Sequence, residues 1–193
     1  MKTIVRELPA DFKLLKGAHT PDGEMCVMEA VAFIAGEPWS DHPQCASKVI
    51  SSFLRSWNDA MNDEDRQQLK PLIPRLVGTA GSAEVERRRS YMALDWLCRV
   101  SAPAWLRLIG KDSGAAAIES CASITDIGTA RAARQALDGG AAVARAAVAA
   151  AWAAARAAAG AAAGAALRPT VFALQQSALE LVERMITVQE AAS

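Results

Sequence analysis

The sequence predicts an all-α protein, a compact helical N-terminal domain followed by an Ala-rich helical extension. Three observations carry that expectation. Apolar residues recur at i, i+3, i+4 and i+7 in several stretches. Period-2 alternation is nowhere long enough for a strand. The C-terminal part is dominated by alanine, the best helix former.

Residues 1–23 read as a lead and a loop, because His19-Thr20-Pro21-Asp22-Gly23 gathers turn formers. A first helix is expected from Glu24 to Ala35, with Val27, Ala30, Val31 and Ile34 as its apolar stripe. Gly36 and Pro38 stop it. The two prolines of Gly36–Pro43 make that segment a loop. A second helix then runs to Ala60, with Val49, Ile50, Phe53, Leu54 and Trp57 inward. Asn62 and Asp65 look like the cap of a short third helix, broken by Pro71 and Pro74. Ser82 caps a fourth, with Glu84 and Glu86 at its positive end and Tyr91, Leu94 and Leu97 at helical spacing. Pro103 kinks or ends it, and Trp105, Leu106, Leu108 and Ile109 close the core.

Composition changes after Gly110, so residues 1–110 and 111–193 read as separate parts. From Ala141 to Ala166, 19 of 26 residues are alanine. Val148, Trp152, Arg156, Gly160, Gly164 and Arg168 recur every four residues, a slowly drifting stripe on one helix. Arg145 and Arg156 argue against a membrane span, since each costs about 2.5–3.5 kcal/mol near a bilayer centre. After Pro169, the residues Val171, Leu174, Ala178, Leu181, Val182, Met185 and Ile186 trace an amphipathic final helix.

Charge narrows the function. The 21 basic and 21 acidic residues cancel, so no global field draws the chain to nucleic acid or anionic lipid. The acidic residues near the start leave no apolar run for a signal peptide, and four scattered cysteines do not make a secreted disulfide scaffold. A cytoplasmic location is expected. Arg87-Arg88-Arg89 reads as a solvated helix face, with Glu84 paired to Arg88.

Reactive chemistry gathers in one place, where His19, Cys26, His42 and Cys45 fall within 27 residues. The order His-x6-Cys-x15-His-x2-Cys suits a tetrahedral zinc site, and zinc is the one cofactor the pattern suggests. In a plain helical hairpin Cys26 and Cys45 would lie about 15 Å apart, so convergence needs the Gly36–Pro43 loop to run back along the first helix. A second reading makes Cys26 a nucleophile at a helix start, where the dipole lowers a thiol pKa. His19 or His42 would be its base, oriented by Glu29 or Asp41. A third makes the cysteines simply buried and His42 a cap. Trp39, Asp41 and Glu37 in the loop are the candidate binding residues. With Asp59, Glu37 and Asp41 would serve a hard cation, although acids so spread are usually surface.

The run CVMEAVAFIAGEPWSDHPQC, followed by FLRSWND, IPRLVGTAG and MALDWLCRVSAPAWLRLIG, resembles a protein family found in bacteria and their phages. The Ala/Arg/Trp-rich middle and LRPTVFALQQSALELVERM resemble segments that accompany this core. The resemblance covers about Gly17 to Gly110 and implies a boundary near Gly110, but no activity. The expected function is a non-enzymatic, cytoplasmic, phage-related binding or assembly module. It would associate with itself or another protein through its C-terminal helices. The alternative is a small hydrolase or transferase built on Cys26 with His19 or His42.

Overall fold

A computed structural model describes residues 4–21, 24–138 and 161–189. The protein is all-α. Among the described residues there is no strand, only an isolated parallel bridge between Leu14 and Met25. Contacts divide the chain into two units, Met1–Arg89 with Arg184–Ser193, and Ser90–Glu183. Gly110, where composition suggested a boundary, lies inside the second unit.

In the first unit, helix α1 (Val27–Ile34) begins at Val27 rather than Glu24. The reason is a capping box, in which Cys26 is the N-cap and Glu29 reaches back to the Cys26 N–H. The helix ends as Gly36 dictates. With φ +67°, Gly36 donates to Phe33 O, and Glu37 N donates to Ala32 O, the paired bonds of a Schellman motif. All of α1 except Phe33 is buried, so it is the central element, packed by α2 (Lys48–Ala60) and α4 (Ile73–Leu76).

Helix α2 starts at a Ser47 cap, where Ile50 N donates to Ser47 Oγ. Ile50 and Leu54 are fully buried, each contributing about 1.5–3 kcal/mol of burial. Val49, Phe53 and Trp57, expected inward, are only half-buried; Phe53 and Trp57 stack on each other at 5.6 Å. The inward positions go instead to Ser51 and Asn58. Helix α3 (Asp63–Arg66) has the expected cap, Asp65 N donating to Asn62 Oδ1 at 2.8 Å.

The two prolines do not break the chain there. Pro71 sits inside a 3₁₀ helix (Gln67–Leu72), and Pro74 occupies the first turn of α4, where its missing N–H costs nothing. Arg66 is 1% exposed, and its guanidinium donates to Asn58 O, Met61 O and Asp63 Oδ1, closing the C-terminal end of α2 with a cation.

Helix α5 (Ala83–Trp96) runs on into one π turn (Leu97–Ser101) and then α6 (Ala102–Leu108). The π turn precedes Pro103, which has no N–H to donate, and it shifts the helical register of α6 relative to α5. That shift overturns two inward assignments: Leu108 and Ile109 are exposed, as are Leu94 and Leu97 before them. Trp105 is half-buried and Leu106 buried.

In the second unit, α6 packs on α7 (Asp112–Glu119) through Leu106, Ala115 and Ile118. Helix α8 (Ile127–Asp138) is capped by Asp126, which accepts from Thr129 N while Thr129 Oγ1 accepts from Asp126 N. Helix α9 (Ala161–Ile186) contains Pro169 rather than starting after it. Its expected stripe is real: Leu174, Ala178, Leu181 and Val182 are buried and Val171 half-buried in this unit, while Met185, buried, and Ile186, half-buried, belong to the first. The part of the Ala-rich stripe from Val148 to Gly160, including Trp152 and Arg156, lies outside the described residues.

Candidate functional site

Glu29 is the hub of the predicted cluster. It is 1% exposed, yet its carboxylate accepts three hydrogen bonds, from Cys26 N (2.7 Å), His19 N (2.6 Å) and His19 Nδ1 (2.9 Å). That number of donors is what allows a carboxylate to sit in a core. The structure therefore brings His19, Cys26 and Glu29 together, with Glu29 orienting the imidazole as the sequence suggested. The loop is tied to them: Trp39 Nε1 donates to His19 O at 2.7 Å, and the indole is half-buried.

Cys26 departs from expectation. Its thiol pKa is pushed up to about 12, chiefly by burial, with the Glu29 charge adding to the rise against hydrogen bonds that lower it. The helix-start dipole does not win, because the side chain is 3% exposed beside a carboxylate. At neutral pH this sulfur is a protonated cap, not a thiolate.

The other half of the cluster lies at the start of α2. His42 is largely exposed, with Nε2 3.4 Å from Asp41 Oδ1. Asp41 also holds Arg55, whose Nη1 donates to Asp41 O at 3.0 Å. Glu37 braces the loop, accepting from Gln44 N at 2.6 Å. Cys45 is buried, and its carbonyl accepts from Gly78 N and Ala80 N. Among the described residues no three His, Cys, Asp or Glu side chains form a group that could hold a metal ion. Also among them, no helix is long and apolar enough to cross a membrane.

Besides Arg66, three polar centres were not anticipated. Asn58, fully buried, accepts from Val27 N and donates to Leu15 O, tying α2 to the entrance of α1. Gln67 pairs with Leu14 as a strand would, accepting from Leu14 N and donating to Leu14 O. Arg89, read as solvated, is 3% exposed. It donates to Glu86 Oε1, to Thr79 O and to Met185 O at the end of α9, where a cation is favoured. Arg88 bonds Gln189 O, and Glu84 pairs with Arg87 rather than Arg88. Burial alone would raise the Glu86 pKa, but donors from Val49 N, Ser47 Oγ and Arg89 outweigh it and hold the carboxyl below its ordinary value. The sequence clue was the i, i+3 spacing of Glu86 and Arg89.

A comparison with protein-family models matched none, and neither the curated proteins nor the solved structures gave a match.

Proposed function

We propose that this chain is a non-enzymatic assembly module, cytoplasmic and phage-related, that associates with a second copy of itself through its second unit. One observation carries the reading. That unit exposes large apolar side chains on several elements: Leu94 and Leu97 on α5 and the π turn, Ile127 (58% exposed) on α8 and Phe172 (60%) on α9. Where such side chains adjoin on one surface they form the kind of apolar patch that marks an association site. A net charge of zero removes the long-range repulsion that would keep copies apart. The hydrolase alternative has less support, because its nucleophile would be a buried cysteine thiol with a pKa of about 12. Sedimentation equilibrium of the full chain across micromolar concentrations tests the proposal. A mass above one chain is expected, and a monomer throughout the range would refute it.

A further inference from the structure

The first unit holds a cavity of about 600 Å³ beside the start of α2, within the range that takes small molecules. Its polar lining is His42, Gln44, Lys48, Ser51, Arg55 and Glu86. Lys48, Ser51 and Arg55 sit at i, i+3 and i+7, one face of α2. Pro43 and Ala46 supply an apolar wall.

The donors outnumber the acceptors. Lys48 enters no ion pair among the described residues. Arg55 uses Nη1 and Nε on Asp41, which leaves further guanidinium donors. Glu86 is the one carboxylate in the lining, and it already accepts from Ser47 Oγ, Val49 N and Arg89. Ser51 is 3% exposed, and its Oγ has no hydrogen-bond partner among the described residues. Its own N–H donates to Ser47 O, so the backbone is satisfied and the hydroxyl alone is orphaned. That hydroxyl is shielded from the cavity as well as unpaired, so contacts to a bound molecule fall to the accessible donors, Lys48, Arg55 and Gln44.

We propose that this cavity binds a small phosphomonoester. The phosphate would be held by Lys48, Arg55 and Gln44, with the ester's organic part against Pro43 and Ala46. A carboxylate offers two oxygens, whereas a phosphate monoester offers three and two charges, which this many donors can use. Glu86 repels the dianion, but Arg89 at 2.8 Å offsets its charge. This site is independent of self-association through the second unit.

The test uses the full chain, with inorganic phosphate and phenyl phosphate as probes at constant ionic strength, read by calorimetry and by melting. Saturable binding is expected for both, with phenyl phosphate about tenfold tighter because its ring meets the apolar wall. Lys48→Gln, at an exposed position, is expected to weaken both about tenfold. Ser51→Ala, which removes an unpaired hydroxyl shielded from the cavity, is expected to leave both affinities unchanged and to melt no lower than wild type without probe. Three results would overturn the proposal: no saturable binding of either phosphate, equal affinity in Lys48→Gln and wild type, or phenylacetate binding as tightly as phenyl phosphate.

Discussion

Replacing Glu29 with glutamine removes one charge and changes almost no volume, which makes it the sharpest probe of the His19–Cys26–Glu29 hub. The carboxylate accepts from Cys26 N, His19 N and His19 Nδ1. A glutamine oxygen can serve two of these donors at most, and its NH2 group must then face the third. One charge-assisted bond is lost, at about 1.5–3 kcal/mol, and one buried donor is left unpaired, at about 1–3 kcal/mol. Relief from burying a charge returns part of that. The expected net loss is about 3 kcal/mol, measured by urea unfolding at neutral pH. For a unit of this size the melting temperature should fall on the order of 10 °C or more. A change within about 0.5 kcal/mol would refute the assignment of Glu29 as the hub.

Arg66→Met should cost about 2–4 kcal/mol, because Asn58 O and Met61 O at the end of α2 lose their donor; denaturant midpoints check it. Glu86 contributes acid-sensitive stability. Its folded pKa lies below its unfolded value, so its contribution is full above the ordinary carboxylate pKa and is lost as pH falls through the depressed folded value. Between neutral pH and about pH 3, wild type should therefore lose more stability than Glu86→Gln. Iodoacetamide should modify the half-exposed Cys98 and Cys121 well before the buried Cys26 and Cys45, as peptide mapping would show. Fast, selective labelling of Cys26 would restore the nucleophile reading.

The apolar skeleton was legible because its signals are local. The Asn62 cap, the Gly36 stop and the α9 stripe through Leu174, Ala178, Leu181 and Met185 each depend on a few neighbouring residues. Two departures have local causes that periodicity does not register. The π turn at Leu97–Ser101 rotates the helix beyond it, which put Leu108 and Ile109 outside. Pro71 and Pro74 were accommodated by a 3₁₀ helix and a first-turn position instead of breaking the chain.

The candidate site was half legible. The pairing of His19 with Glu29 and of His42 with Asp41 could be read from residue type and proximity. The inversion of the Cys26 pKa could not, since it depends on burial that only the tertiary structure supplies. The buried Asn58, Arg66 and Arg89 escaped for a related reason. Each bonds backbone carbonyls from other segments or turns, and a carbonyl leaves no trace in side-chain pattern.

Self-association is tested most directly by placing a charge on the two most exposed large apolar positions of the second unit and weighing the particle. Ile127→Asp and Phe172→Asp, separately and together, should shift the sedimentation mass toward one chain while leaving helix content and melting of the monomer unchanged. A mass above one chain that neither substitution alters would place the association elsewhere and contradict the assembly role of the second unit.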